Sequence, residues 1–567
     1  MPVSSKGLCL FHPNGYLGRP SNPFGKDIAN AALFRALVQF GGFCEVAVLN
    51  QTGLSSEQLT AEMGSSKSPR LVASSLTDTN LAVRHGVLLR GQPYLEELAW
   101  LRRSKNLDQA YSLVGLIHTI APPAVRSKIG SAVIAPTHPW DALVCTSPAV
   151  QQAMETMLDA SVEHLSARLG AVRCPRPKLP LIPLAVDTEL MARLAADVQA
   201  RAALRQRLRI AEHDVVVLWV GRLSYYEKAF PQSMFQAMHL AAQRTQKRLH
   251  FCLVGWFPGG DVEMKAYKQA ADVLAPDLNV IVLDGNDSQL VAQSWASADV
   301  FLSLVDNIQE TFGLTPVEAM AAGLPVVVSD WDGYRYTVRD GLDGFLVPTL
   351  SSPGGAPGEL LATLHSMELE SYQTYVGAVA QHTAVHVQKA ASLIAQLAED
   401  ENLRVSMGKS AQQRARTMFA WPEVIRQYKE LFDELAERRC SADSALACVG
   451  AHVEPSRGEP FSDFQHFATD VLHPEKNLRL AADVTVFDLD KRLEVKLNRQ
   501  YPGLRCKNEV ALNLLQRLGD AGSKGLSVGQ LLAGFSGEQD AYLKTTLVWL
   551  AKMGLVDWLS FEPERSR

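Results

Sequence analysis

Two glutamates, Glu310 and Glu318, stand eight positions apart in the stretch ETFGLTPVEAMAAGLPVVVSD, residues 310–330. Apolar, strand-like runs lie on both sides of the helix-like part, so the sequence predicts a strand–loop–helix–strand unit. Glu310 then follows the carboxyl end of the first strand, where open α/β sheets bind ligands. The backbone N–H groups of residues 313–315 fall at the predicted helix entrance, which favours an anion. Two acids beside an anion site indicate a ligand with both hydroxyls and phosphates, such as a nucleotide sugar.

Glu318 also has a structural explanation. The run Thr315-Pro316-Val317-Glu318 has the form of a helix-capping box with proline in the first helical position, which stabilises a helix start without any ligand. Glu310 has less structural explanation, because polar residues in loops that follow a buried strand often serve a function. A glycosidase needs two acids flanking one bond, whereas an anion site separates these two, so a hydrolase is disfavoured.

Basic side chains follow another strand-like run, Val215–Val220. Arg222 and Lys228 in VGRLSYYEK would both reach the crevice at the end of that strand, where their fixed charge suits a diphosphate. A solvated charge pair is the alternative interpretation. His118 likewise follows an apolar strand, but a lone histidine in that position is more often a core or surface residue.

The composition is that of an ordinary globular chain. With 567 residues, 47% hydrophobic and 20% charged, it is long enough for three or four domains. The net charge of −5 gives no reason to expect a nucleic-acid partner. The eight cysteines are scattered without paired spacing, which indicates reduced thiols and no structural zinc.

Cofactor and membrane motifs are missing from the sequence. Six residues separate Gly18 from Gly25 and Asp27 follows Lys26, so this is not a P-loop, and no GxGxxG, HExxH or EF-hand pattern appears. We therefore expect neither a metal nor a cofactor. No apolar run reaches the roughly 18 residues of a membrane span, and the N-terminal run is too short for a secretory signal. A cytoplasmic location is expected, with peripheral contact at a membrane left open.

Alternating strand-like and helix-like runs organise most of the chain. Residues 1–190 predict a doubly wound α/β domain, and a helix over Thr188–Leu208 leads into a second run of the same kind over 191–420. Two such halves predict two Rossmann-like domains facing each other across a cleft. The strands predicted in the first half are Gly7–Phe11, Cys44–Leu49, Leu113–Ile117, Ala132–Ile134, Ala142–Thr146 and Leu179–Pro183.

Taken together, residues 7–437 resemble the family-4 retaining glycosyltransferases of the GT-B fold. That family is marked by two glutamates with seven residues between them, as in Glu310 to Glu318. The segments VGRLSYYEKA, SDWDGYRYTVRDGLDGFLVP, LIPLAVDT and AWPEVIRQYKELFDEL are similar to other segments of the family. The resemblance implies an acceptor-side domain over 1–190, completed by a helix over 421–438, and a nucleotide-sugar donor domain over 191–420.

The resemblance also implies roles for the candidate residues. Arg222 and Lys228 would bind the donor diphosphate and stabilise the leaving group, Glu310 would contact the sugar hydroxyls, and Glu318 would contact the ribose. His118 matches the family's histidine near the donor sugar, so the catalytic set would be Glu310, His118, Arg222 and Lys228. The donor-binding set would be Gly25, Arg222, Lys228, Glu310, Phe312, Gly313, Leu314, Thr315 and Glu318.

Two of these assignments carry further detail. The amides of residues 312–315 would face the distal phosphate. Gly25 matches the glycine-rich loop before the first helix, although Phe24-Gly25 replaces the usual pair of glycines.

The implied activity is transfer of a hexose from a nucleotide-diphosphate sugar to a hydroxyl acceptor, with retention and without a metal ion or cofactor. Preorganised cations and helix amides would stabilise the departing diphosphate. The acceptor could be a saccharide, a lipid-linked molecule or a protein, in polysaccharide or glycolipid synthesis. Another GT-B enzyme, either a sugar-nucleotide epimerase or a phosphorylase, remains open, as does a non-catalytic sugar-nucleotide-binding protein.

Residues 440–567 lie outside the resemblance. The helix-like runs Val510–Leu518, Val528–Leu532 and Tyr542–Met553, followed by apolar Leu555–Leu559, predict a small, mainly helical accessory domain that is loosely winged-helix-like. Its basic residues are offset by acidic ones, so a protein partner or acceptor positioning is favoured over nucleic acid.

Overall fold

The computed structural model describes residues 7–12, 25–51, 53–64, 69–443 and 449–558. Its chain separates into two compact units, Met1–Glu454 and Pro455–Arg567. The larger unit holds two α/β domains, each built on its own parallel sheet. None of the described helices is both long and apolar enough to cross a membrane.

Strands rich in Val, Leu and Ala form the first sheet. They are buried on both faces, which is typical of a parallel sheet covered by helices. The described strands pair in the order β3-β2-β1-β4-β5-β6, as in a Rossmann sheet. These strands are β1 Gly7–His12, β2 Glu45–Asn50, β3 Arg70–Ser74, β4 Val87–Arg90, β5 Ser112–Leu116 and β6 Ala142–Val144. The helices are α1 Gly25–Phe40, α2 Ser56–Met63, α3 Thr79–His85, α4 Glu96–Ser104, α5 Pro123–Gly130 and α6 Pro148–Leu169.

The second domain repeats this order with its own strands, β12-β11-β10-β7-β8-β9. These strands are β7 Val215–Arg222, β8 Leu249–Trp256, β9 Asn279–Asp284, β10 Val300–Ser303, β11 Val326–Ser329 and β12 Gly344–Val347, with β13 Thr349–Ser351 and β14 Thr383–Val385 as a separate pair. The helices are α7 Thr188–Ala195, α8 Val198–Leu208, α9 Gln232–Ala242, α10 Gly260–Leu274, α11 Ser288–Ser297, α12 Leu314–Ala321, α13 Tyr334–Thr337, α14 Ala356–Ser366, α15 Tyr372–Gln381, α16 Val387–Glu399, α17 Glu401–Met418 and α18 Trp421–Cys440. Two doubly wound sheets in one unit are the predicted GT-B fold.

The last of these helices, α18, crosses back to the first sheet. Its apolar side chains share a hydrophobic cluster with Leu8 and Leu10 of β1 and with Leu33 and Leu37 of α1. The α18 members of that cluster are Val424, Ile425, Tyr428, Leu431, Phe432 and Leu435. The chain thus returns to the first domain after completing the second.

Local predictions were wrong at three places. Residues Ser131–Val133 form a 3₁₀ turn that continues from α5 rather than a strand. The single helix expected over 188–208 is two helices, because Asp197 accepts a hydrogen bond from the Ala200 N–H (2.9 Å) and starts α8. The segment 179–183 makes an isolated bridge to Cys145 instead of a regular strand.

The smaller unit is mainly helical with a three-stranded antiparallel sheet in the order β16-β15-β17. The three predicted helices and the last strand are present, whereas β15 went unpredicted because its partners lie far away in sequence. Leu559 lies outside the described residues, and the winged-helix likeness stays a prediction. The elements are α19 Pro460–Asp463, β15 Asn477–Leu480, α20 Asp488–Glu494, α21 Asn508–Ala521, β16 Leu526–Ser527, α22 Val528–Leu532, α23 Asp540–Lys552 and β17 Val556–Trp558.

Candidate active site

The strand order of the second sheet brings two loops together. Strands β7 and β10 are neighbours at the point where the order reverses, and ligands of doubly wound sheets bind outside the carboxyl ends of the strands at this point. Arg222 is the last residue of β7, and Lys228 lies in the loop that follows it. The loop after β10 carries Glu310.

Glu310 is held by a cation and by backbone amides. Lys228 Nζ lies 3.3 Å from Glu310 Oε2. Oε1 accepts hydrogen bonds from the N–H groups of Gly313 (3.1 Å) and Thr311 (3.3 Å). Burial by itself raises the pKa of Glu310, but the charge and hydrogen bond of Lys228 and the backbone N–H donors outweigh it, so the net pKa is lowered. The carboxylate is therefore ionised at neutral pH.

The helix after this loop begins earlier than the capping box predicts. Its N-cap is Gly313, in a left-handed conformation (φ +90°), and α12 starts at Leu314 without a side-chain cap. Gly313 is required because an added Cβ would lie 2.0 Å from the ring of Tyr334. Thr315 therefore lies inside the first turn, and the predicted capping role for the Thr315–Glu318 pair was wrong.

Arg222 is not the solvated cation that the alternative interpretation proposed. Its side chain is buried, and NH1 lies 2.6 Å from Glu227 Oε2. Lys228 is more open, with a third of its side chain exposed. Each of the two cations thus faces a carboxylate.

Asn307, which the sequence did not single out, ties three loops together. Its buried side chain donates to the Tyr226 carbonyl (2.6 Å) and accepts from the Gln309 N–H (2.9 Å). Its own carbonyl accepts from the Trp331 indole N–H (3.1 Å). The loop with Lys228 is thereby fixed against the loop with Glu310, so Asn307 is a positioning residue for this pair.

Replacing Asn307 by alanine should loosen that arrangement. The change leaves the Tyr226 carbonyl and the Gln309 N–H without their partner, which costs about 1–3 kcal/mol of stability. We expect a lower melting temperature and weaker nucleotide binding, measured by differential scanning fluorimetry and calorimetry. Exposed Asn286→Ala is the matched control, and unchanged nucleotide affinity in Asn307→Ala would contradict the positioning role.

Asp306 is a buried acid beside this site. It accepts a hydrogen bond from the Phe230 N–H (3.4 Å), and burial raises its pKa to about 8. The unfolded chain loses this proton near the ordinary value of 3.8, whereas the native protein keeps it until about pH 8. Stability contributed by Asp306 is therefore complete below pH 4 and is lost as the pH rises toward 8.

Asp306→Asn should reduce this pH dependence, because the amide stays neutral throughout. The slope from one such group is at most about 1.4 kcal/mol per pH unit. As the pH rises from 5 to 8, we expect the melting temperature of the wild type to decrease relative to that of Asp306→Asn. Replacement of the exposed Asp272 by asparagine serves as the control. If the melting temperatures of wild type and Asp306→Asn changed in parallel with pH, Asp306 would not cause the pH dependence.

The first domain meets the site through its own loops. Thr311 Oγ1 donates to the carbonyl of His118 (2.9 Å), and Thr146 Oγ1 donates to the carbonyl of Thr311 (3.2 Å). Ser147 Oγ donates to Asp332 Oδ1 (2.9 Å). Burial raises the pKa of Asp332 to about 7, which the charge of Glu310 reinforces. His118 therefore lies next to the Glu310 loop, while its role beside a donor sugar stays a prediction.

Two hydrogen-bond acceptors lie next to one ring nitrogen of His118. Nε2 lies 2.8 Å from Asn30 Oδ1 and 3.1 Å from the Gly91 carbonyl, and the Asn30 amide itself donates to that carbonyl (2.8 Å). Both neighbours of Nε2 are acceptors, so Nε2 carries a proton and donates to them.

The remaining predicted residues are placed less directly. Gly25 is the first residue of α1, the helix that carries Asn30, while the Gly18 end of its loop lies outside the described residues. The Phe312 side chain is buried against Phe419 in the core (ring centroids 5.9 Å apart), so only its backbone can face a ligand. Leu314, Thr315 and Glu318 are half-buried on α12.

Sequence reasoning also missed Tyr372, at the start of α15. Its hydroxyl donates to Gln309 Oε1 (2.8 Å), one residue before Glu310, and Thr119 is a further side-chain partner. Tyr372 lies about sixty residues beyond the Glu310 motif, and no local pattern connects the two. Within the described part of the chain, no group of three His, Cys, Asp or Glu side chains could hold a metal ion.

Known proteins resemble this chain at two levels. Residues 200–354 match the family described as glycosyl transferases group 1. The D-inositol 3-phosphate glycosyltransferase of Corynebacterium efficiens is 26% identical over 248 residues, which cover 44% of this chain and 49% of that protein. The protein of the same name from Geodermatophilus obscurus is 35% identical over 152 residues, covering 26% and 33%. The chain thus spans about half, or less, of the length of these relatives.

Among solved structures, Anabaena HepE in complex with UDP superposes with a TM-score of 0.50 at 17% identity. The match covers 75% of this chain and 98% of that structure, which identifies the fold. Residues 200–354, which contain the Glu310 loop and both cations, match the glycosyl transferases group 1 family, in a chain with the GT-B fold.

Proposed function

We propose that this protein transfers a hexose from a nucleoside diphosphate sugar to a hydroxyl acceptor, with retention of the anomeric configuration. The observation that carries the proposal is the convergence of Lys228 Nζ and the Gly313 N–H on Glu310, with Arg222 at the end of the neighbouring strand β7. Cations and oriented amides are suited to a diphosphate, and a carboxylate beside them is suited to sugar hydroxyls.

The proposed chemistry is stabilisation of a leaving group. As the bond from the anomeric carbon to the diphosphate oxygen breaks, negative charge grows on that oxygen. Lys228, Arg222 and the α12 amides stabilise this charge without any rearrangement at the moment of reaction. The acceptor hydroxyl gives its proton to the departing phosphate and forms the new bond on the same face of the sugar.

In this scheme the donor replaces contacts that the site residues already make with one another. Lys228 moves from Glu310 to a phosphate oxygen, and Gly313 N–H turns from the same carboxylate to the distal phosphate. Glu310 is then free to accept hydrogen bonds from the sugar, and Glu318 contacts the ribose. His118, which lies beside the Glu310 loop, contacts a hydroxyl of the sugar.

A nucleotide screen tests the proposal. We would measure melting temperature with UDP, GDP, ADP and their glucose or mannose conjugates, because a ligand of the native state raises it with saturation. UDP is the first probe, since the Anabaena relative in fold was solved with it. A rise with one nucleotide family supports the proposal, and no response to any of them would refute a nucleotide-sugar donor.

A second experiment separates the other GT-B activities. A transferase consumes donor only when an acceptor is supplied, and inositol phosphate is one acceptor to try because of the relatives' names. An epimerase would consume donor with no acceptor, and a phosphorylase would need inorganic phosphate. NMR of the product's anomeric proton then reads retention or inversion directly.

A further inference from the structure

A basic and apolar surface loop lies in the smaller unit, outside the glycosyltransferase match. The 495–507 loop, VKLNRQYPGLRCK, contains four basic residues and no acidic one. Its large apolar side chains are exposed to solvent: Val495 48%, Leu497 80%, Tyr501 92% and Leu504 58%. The basic members are Lys496, Arg499, Arg505 and Lys507.

Hydrogen bonds and a cation–π contact attach the loop to the rest of the smaller unit. Two short 3₁₀ turns, Lys496–Arg499 and Pro502–Leu504, shape it. The Leu504 carbonyl accepts from Thr545 Oγ1, and the Cys506 N–H donates to Thr546 Oγ1 (2.9 Å), both on α23. The Arg505 guanidinium lies 4.3 Å from the centroid of the Trp549 ring. Exposure of the apolar side chains is therefore a property of the folded loop.

The core of this unit takes in Cys506 of the loop but not the loop's large apolar side chains. Its hydrophobic cluster is formed by residues such as Leu514, Leu518, Leu531 and Leu547, while Leu497 and Tyr501 lie outside it. Exposed leucine and tyrosine side chains alternating with lysine and arginine match the interfacial layer of an anionic bilayer. There, apolar groups enter the headgroup region and cations pair with phosphates. A nucleic acid would engage the charges and leave the aliphatic side chains in water.

We infer that the 495–507 loop binds the surface of an anionic lipid bilayer. The attraction has an electrostatic part from the four basic residues and an apolar part from Leu497, Tyr501 and Leu504. Each basic residue near such a surface strengthens binding about fivefold. Salt weakens the electrostatic part through screening.

Vesicle sedimentation with the full-length protein tests this inference. We expect binding to phosphatidylcholine vesicles with about 30% phosphatidylserine, little binding to pure phosphatidylcholine, and weaker binding to the anionic vesicles in high salt. Lys496→Ala/Arg499→Ala should lower the partition coefficient roughly 25-fold. Leu497→Ser/Tyr501→Ser should weaken the binding that persists in high salt.

The matched control removes the same charge elsewhere. Lys265→Ala/Lys268→Ala changes two exposed lysines of α10 and should leave vesicle binding unchanged. Equal binding of the Lys496→Ala/Arg499→Ala protein and wild type would overturn the inference. Binding to duplex DNA without binding to vesicles would also overturn it and make this a nucleic-acid surface. Because the assay needs neither donor nor turnover, its result is independent of the proposed transferase activity.

Discussion

Glu310→Gln is expected to lower kcat about 100-fold or more while UDP binds as tightly as to the wild type, or more tightly. The carboxylate holds Lys228 Nζ at 3.3 Å and Gly313 N–H at 3.1 Å. It therefore competes with a phosphate for the same donors. The neutral amide competes less well, but it no longer stabilises positive charge on the sugar in the transition state.

Separate measurement of binding and turnover decides this prediction. Calorimetry gives the UDP affinity, and donor consumption with acceptor gives kcat and KM. Glu359→Gln on α14 makes the same charge change at an exposed position. If Glu310→Gln turned over like the wild type, Glu310 would not belong to the active site. If Glu310→Gln lost UDP binding together with turnover, the proposal that a phosphate takes over the donors of Glu310 would be wrong.

Lys228→Ala is expected to weaken UDP binding about 10- to 100-fold and to lower kcat/KM further. A hydrogen bond between charged groups contributes about 1.5–3 kcal/mol, and the interaction strengthens as charge develops on the leaving oxygen. Lys228 is the better cation to test than Arg222. Removing Arg222 leaves Glu227 unpaired in a buried site and threatens folding.

The pH profile gives this prediction a second readout. Lys228 is a main cause of the lowered pKa of Glu310, and burial opposes it. Without the lysine, the pKa of Glu310 rises, so residual activity of Lys228→Ala should appear only at higher pH than in the wild type. Lys228→Arg should restore part of the binding, and Lys268→Ala on α10 is the control. Wild-type UDP affinity in Lys228→Ala would remove Lys228 from the donor site.

Much of this architecture is readable from the sequence. The two successive α/β patterns predicted both doubly wound sheets, and the predictions for β1, β2, β5 and β6 lie within two residues of the observed bounds, whereas β3 and β4 went unpredicted. Burial on both faces makes such strands continuous hydrophobic runs, which are a strong local signal. The failures fall where local signals compete, as at Asp197, where an N-cap interrupts an otherwise helical run.

For the candidate site too, some features could be predicted from the sequence and others could not. Glu310, Arg222 and Lys228 were identifiable because each follows a buried strand, and parallel strands bring such positions to one edge of a sheet. The contact between Lys228 and Glu310 could not be identified from the sequence, since the two residues are 82 positions apart. Asn307 and Asp306 escaped notice because a buried amide or acid in a loop has no sequence pattern of its own.

The sequence by itself therefore determined the α/β pattern of both domains and the candidate residues for a diphosphate site. Hydrophobic periodicity and position after a strand are local properties of the chain. Only the tertiary structure decided that Lys228 and Glu310 are partners, that α12 begins at Gly313, and that His118 lies beside Thr311. Each of these depends on which strands become neighbours and on what packs against a loop, as Tyr334 packs against Gly313. Distances between loops come from the assembled sheets, and no short stretch of sequence encodes them.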